Sequence, residues 1–464
     1  MMSSLAAYDL LDPNGSINII WDIMSWKPDG YLATVRISNL QMYRQIRSPG
    51  WTIGWTWANK EVIWSMVGAQ AIDRGDCSNF KTNIPHSCET SPAIVDLLPG
   101  SVPQNQQLPN CCKGGVLGSW GQRDKAATVS WFQVSVGHSG TSRKTVKVPK
   151  GFYLLGPGAG YACSSAVVVP PSVFLSADGR RKTRAMTTWT VTCTYSPTLA
   201  SKNPNCCVSL SSFYNPMITP CSTCACGCKD KHNCTKRDSE ISTLLKPNLV
   251  MDGETQLLQC TQHMCPIQVH WHFKVNYMKH WRVKISITNF NYWLNYSHWN
   301  LVVQHPNLNN VTLVYNFTYK LLPYHSTSDT GVFYGVKEGN ELLMEAENVQ
   351  SEMIFGKDEK EFTLDQGWVF PRKVYFNGDE CLMPPPNSYP FLPNSPNPIH
   401  PLLFAAALLL PNINNKTEAM NSLIAKNLCH NPIITIPFGV DSSNKDLKSQ
   451  ATLQDRGTSA LEHT

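Results

Sequence analysis

The chain has 464 residues, long enough for two or three domains with ample core. Charged residues make up 16%, below the roughly one quarter of an ordinary soluble domain, while Pro (32), Trp (14) and Cys (17) are plentiful. That mixture points to β-rich, loop-rich secreted modules and away from a helical cytosolic enzyme. The formal charge of +6 is mild and shows no stripe dense enough for nucleic acid, though it is compatible with an acidic matrix such as pectin.

In chain order, Ile17–Ile23 and Tyr31–Asn39 alternate apolar with polar residues, as half-buried strands do. Lys27-Pro-Asp-Gly30 between them has turn chemistry. The segment Ser48-Pro-Gly-Trp-Thr-Ile-Gly-Trp-Thr-Trp57 is then expected as a strand whose Trp51, Ile53, Trp55 and Trp57 share one face. Indole pairs an apolar body with one donor, so such a strip suits the apolar faces and hydroxyl rim of a glucan chain. Trp55 and Trp57 are the expected stacking residues, with Trp51, Trp26 and Tyr31 in support. The alternative is that these rings are core.

Cysteine usage bears on the compartment. Sixteen of the seventeen lie between Cys77 and Cys381, an even number that permits complete pairing in an oxidising environment. The cluster Cys221-Ser-Thr-Cys224-Ala-Cys226-Gly-Cys228 lacks a matching second half for zinc, so disulfides are expected and no metal or cofactor. Residues 166–259 read as a cysteine-rich connector between a first module, 1–165, and a second, 260–382. Within it, Arg180-Arg-Lys-Thr-Arg184 reads as a solvated loop. N-x-S/T acceptors stand at Asn14, Asn233, Asn295, Asn310, Asn316 and Asn415, leaving the tryptophan-rich first half almost bare.

A shift of 250 residues lays Ile17–Ile23 on Ile267–Phe273 and Tyr31–Asn39 on Trp281–Asn289. A β-sandwich is therefore expected twice. At a shift of 248, Trp51 falls on Trp299, Trp55 on Val303 and Trp57 on His305, and the two indoles found in one copy only become the better functional candidates. Residues 383–411 form a Pro-rich stalk and a short apolar run, Pro401–Leu410, of the length of a lipid-anchor signal; Asn394 is the candidate attachment position. Residues 412–464, with Cys429, read as a disordered tail. An upstream signal peptide and a chain ending shortly after an apolar tail are expected of the native product.

These residues resemble the COBRA family of plant cell-wall proteins. The matching stretches are Asp12-Pro-Asn-Gly15, Trp21-Asp-Ile-Met-Ser-Trp26, Pro49–Trp57, Glu61–Gln70 and Cys111-Cys-Lys-Gly-Gly115. Further matches are the hallmark Cys206-Cys207-Val208-Ser209, then Cys224–Cys228, His263-Met-Cys-Pro266, Gln304-His-Pro-Asn307, Tyr375–Asp379 and Met383-Pro-Pro-Pro386. The resemblance implies a glycosylated protein, lipid-anchored on the outer plasma-membrane face and in the wall. It also implies non-catalytic cellulose binding through the N-terminal region, guiding microfibril assembly, orientation and crystallinity. A wall glycoside hydrolase or transglycosylase is the enzymatic alternative, and would need two carboxylates flanking the strip. A surface adhesion or receptor module is the third.

Overall fold

The repeat in the sequence is a repeat in space, and strand registers carry it. The computed structural model describes residues 9–219 and 265–390, apart from positions 10, 102, 104–106, 123, 176–179, 201–203, 214, 292–293, 323–328, 358–368 and 386–387. The first half runs β1 (Ile17–Lys27), β2 (Gly30–Asn39), β3 (Thr52–Thr56), β4 (Val62–Val67), β5 (Ala69–Ala71) and β6 (Ala93–Asp96). It continues as β7 (Val129–Gly137), β8 (Lys150–Leu155), β9 (Tyr161–Cys163), β10 (Val167–Val169), β11 (Val173–Leu175), β12 (Lys182–Arg184) and β13 (Thr187–Tyr195). One sheet has the order β10-β13-β1-β2-β7-β4, with β9 also on β13, and the other β5-β6-β3-β8. Alternation puts Ile17, Ile19, Trp21 and Ile23 of β1 inside, with Ile94 and Leu154 arriving from the other sheet in the same core.

The second half opens with β14 (Cys206–Ser212), β15 (Asn215–Thr219), β16 (Ile267–Asn276), β17 (His280–Asn289), β18 (Tyr296–Ser297) and β19 (Asn300–Gln304). Then come β20 (Val311–Val314), β21 (Phe317–Leu321), β22 (Thr330–Gly335), β23 (Leu342–Leu343), β24 (Asn348–Gly356), β25 (Lys373–Phe376) and β26 (Asp379–Glu380). Its sheets are β15-β14-β16-β17-β24-β20 and β21-β22-β19-β25-β26, with β18 and β23 paired alongside. The fold is thus all-β, two related sandwiches.

The copies agree in detail. The hairpin β1–β2 carries a register shift between Ile23 and Ser25, and β16–β17 carries one between Phe273 and Val275. Asn39 ends β2 with its amide donating to the carbonyls of Arg44 and Gly118, while its oxygen accepts from the Gln41 N–H. Asn289 ends β17 the same way, donating to Leu294, Leu343 and Met344 and accepting from Asn291. Each buried amide closes its own turn, so a change of residue there leaves several buried backbone groups unpaired.

The expected start of the connector at residue 166 is corrected, because the described strands that follow belong to the sandwiches. β9, β10 and β13 complete the first sandwich, where Cys163–Cys193 ties β9 to β13. β14, with the Cys206–Cys381 bond, belongs to the second, pairing in parallel with β16. Of the cysteines in this stretch, Cys193 and Cys206 staple strands into sheets. Residues 220–264, with Cys221–Cys228 and Asn233, lie outside the described residues. The start of the expected stalk also belongs to the second sandwich: Tyr389 is buried in its core and Met383 packs against it. Between the sandwiches, Leu11, Met42 and Tyr43 pack on Val302, Leu322 and Val332. Arg44 and Arg47 reach Asp379 at 3.6 and 3.1 Å, and the Asn300 amide donates to the Tyr43 carbonyl.

Two measurements check this description. Trp55→Ala should lower stability by about 3–5 kcal/mol in a denaturant titration, the loss expected of a buried indole; an unchanged midpoint would mean the ring is not core. Asn289→Ala should cost roughly 2–4 kcal/mol, because three carbonyls lose their donor together.

Candidate functional site

The indole strip exists, but it faces inward. Trp51, Trp55 and Trp57 are 1%, 0% and 6% exposed, and Tyr31 is 1% exposed. Trp26 is half-buried, edge-on to Tyr31 at 6.4 Å. Alternation along β3 is as expected; its sense is the reverse of a binding strip. The reason is Trp21, which projects from β1 into the middle of the sandwich. Trp55 and Trp57 meet it edge to face at 5.0 and 6.3 Å, and Trp189 stacks on it at 5.7 Å. Trp51 stacks on Phe132 at 5.9 Å. Among the described residues the N–H groups of Trp21, Trp51, Trp55, Trp57 and Trp189 have no hydrogen-bond partner. Edge-to-face packing, which the ring quadrupoles favour, holds the cluster instead.

The other side of β3 is the open one, and it is flat. Its side chains are Thr52, Gly54 and Thr56, the last exposed. Gly54 pairs with Tyr153 of β8, whose ring lies down over the glycine: a Cβ at position 54 would stand 2.2 Å from its Cε1 and Cζ. Tyr153 is 38% exposed, so the ring both covers the glycine and meets solvent. Partial burial raises its phenol above the ordinary value, which keeps the hydroxyl protonated and able to donate.

Around the ring stand Val95 opposite Thr52, Leu155 on its other side, Gln70 beyond Val95, and Lys150 opposite Thr56. Thr56 shares a hydroxyl contact of 3.0 Å with Ser91. None of these outward side chains is a carboxylate. The nearby Asp96 is buried, and its oxygens accept from the N–H groups of Leu97, Cys112, Lys113 and Gly115. It organises the Cys111–Gly115 loop. An aromatic face, a hydroxyl rim and a level floor can hold a sugar ring by its C–H face.

Tyr153 and Gly54 were missed in the sequence. The available signal was the glycine itself, since a glycine inside a strand marks a close approach from above. Other candidates fall elsewhere. Cys206 is disulfide-bonded and Val208 is core, while Ser209 bonds the His270 ring at 2.6 Å; the motif is structural. His270 and His272 are tied to Ser211, and among the described residues no group of three metal-binding side chains occurs. Asn14, Asn295, Asn310 and Asn316 are exposed. Asn394, Asn415 and Cys429 lie outside the described residues, and no described helix is long and apolar enough to cross a membrane.

Comparison with known proteins supplies the family. Residues 31–196 match the COBRA N-terminal domain, and residues 205–390 match the COBRA family C-terminal domain. The boundary between them falls where the first sandwich gives way to the second. COBRA-like protein 4 of Arabidopsis thaliana is 64% identical over 393 residues, covering 84% of this chain and 91% of that protein. COBRA-like protein 5 of Oryza sativa subsp. japonica is 57% identical, covering 87% of this chain and 94% of its own length. Protein COBRA of Arabidopsis thaliana is 56% identical, covering 88% and 91%. A Vibrio harveyi GH20 exo-β-N-acetylglucosaminidase overlaps 24% of this chain and 15% of its own at 10% identity and a TM-score of 0.19, too little to carry an argument. The chain belongs to the COBRA family.

Proposed function

We propose that this protein binds β-1,4-glucan without catalysis, on the outer face of the sheet β5-β6-β3-β8, and so guides cellulose microfibrils as they assemble. Membership of the COBRA family implies a role at the plant cell wall. The observation that carries the binding site is the partly exposed Tyr153 ring packed over Gly54. An exposed ring held on a sheet can stack on the C–H face of a pyranose while flanking hydroxyls meet its rim. Absence of acceptor asparagines from residues 17–232 leaves this face clear of carbohydrate attached to the chain.

A hydrolase is the weaker reading, because the outward side chains of this face offer no acid and base pair. The disulfides Cys77–Cys88, Cys163–Cys193 and Cys206–Cys381 fit export through an oxidising compartment, and a lipid anchor on the outer membrane face would hold the site at the wall.

Stacking one phenol ring contributes on the order of 1–2 kcal/mol. Retention of the secreted full chain on cellulose should therefore fall roughly 5–30-fold in Tyr153→Ala and stay near wild type in Tyr153→Phe. Gly54→Ala pushes the ring off its seat without touching the phenol, and should weaken retention in a folded protein. Wild-type retention by folded Tyr153→Ala would overturn the assignment.

A further inference from the structure

We infer that the ribbon β11–β12 is a second binding element, for a carboxylate-bearing polysaccharide such as a polyuronate. The basic run Arg180–Arg184 is not the solvated loop its composition suggests: Lys182–Arg184 is strand β12, paired among the described residues with β11 alone. Register sets Val173 opposite Arg184 and Leu175 opposite Lys182. Residues directly opposite in an antiparallel pair point the same way. One face of the ribbon therefore shows a row of two aliphatic side chains beside a row of two cationic ones.

All four are exposed, Val173 at 52% and Leu175 at 62%. A ribbon built only to be solvated would carry polar residues at positions 173 and 175. Arg180 and Arg181 extend the positive charge toward the tip, and both are exposed.

The ribbon is fixed at its base. The N–H of Ala185 donates to Ser172, that of Met186 to Ile23, and that of Ser172 to the Thr188 hydroxyl. Thr188 in turn donates to buried Asp22 at 2.5 Å. Its face is thus held as an extended edge, repeating every second residue, about 6.6 Å along the strand.

Exposed aliphatic groups beside fixed cations need a ligand with both apolar faces and regular negative charge along a line. A uronic acid chain has C–H faces and one carboxylate per sugar. A lipid surface would instead favour aromatic or long apolar side chains able to sink below its headgroups, and the ribbon face shows only Val and Leu. The inference shares with the proposed function its setting at the wall and none of the residues of the Tyr153 face.

The test uses the secreted full chain, in calcium-free buffer, with de-esterified polygalacturonate, its fully methyl-esterified form, cellulose, and vesicles of anionic phospholipid. Wild type should bind polygalacturonate and not the methyl ester, and lose that binding as salt rises toward 1 M, where charges are screened within about 3 Å. Lys182→Glu with Arg184→Glu should weaken polygalacturonate binding tenfold or more and leave cellulose retention unchanged. Lys182→Ala with Arg184→Ala should show the same direction, and Val173→Ser with Leu175→Ser a loss of a few-fold with all charge kept. Tyr153→Ala should leave polygalacturonate binding intact, so the two sites fail separately. Equal binding of both polymers, wild-type binding by the folded charge variants, or a preference for the vesicles over polygalacturonate would overturn the inference.

Discussion

Trp21 at the centre of the first sandwich decides how everything around it is oriented. Its ring takes Trp55, Trp57 and Phe152 edge-on and Trp189 face-on, so both sheets contribute aromatic surface to one point. A single strand has two sides, and β3 commits its bulk to that point. Little is left for the other side: Thr52, Gly54 and Thr56 are short. The thinness of that outer surface is the condition for Tyr153 to lie down on it. The candidate site is therefore a consequence of how the core is filled, and a bulkier side chain at position 54 would remove it without disturbing any indole.

The second sandwich shows that the indoles answer to packing. Strand β19 is the counterpart of β3 at the 248-residue shift, which sets against Trp55 and Trp57 the residues Val303 of β19 and His305 just beyond it. Both are fully buried. His305 stacks on Trp271 at 6.0 Å and meets Trp281 and Phe355 edge-on, whereas Trp57 meets Trp21 edge-on; the ring geometry differs and the burial is shared. An aromatic present in one copy and replaced in the other thus marks a core filled by different pieces. Comparing copies distinguishes shared from unshared residues; it does not separate interior from surface.

That distinction explains what was legible. Period-two alternation gave the strands, the shared face of Trp51, Trp55 and Trp57, and the 250-residue repeat down to the paired asparagines Asn39 and Asn289. It could not give the sign, since alternation divides a strand into two sides without saying which meets water. Nor could it bring Tyr153 to Gly54, because that pairing is made between strands far apart in sequence. The cysteine-rich stretch misled for a related reason. Cysteine density suggested a connector from residue 166 onward, whereas Cys163–Cys193 and Cys206–Cys381 each fasten a strand within a sandwich.

Strength of binding follows from the size of the site. On the proposed reading, one phenol ring and a few hydroxyls would give an affinity of a few kcal/mol at most, well short of a clamp. A protein free in solution would leave such a surface quickly. Held near a polymer that repeats the same sugar thousands of times, the same contact is remade as soon as it breaks, and the effective concentration does the work that intrinsic affinity does not. Weakness is then useful, because a strand still being laid down must slide past whatever guides it. A second element recognising charge rather than an apolar face would add residence without tightening the first, since neutral and acidic polymers would each engage their own surface.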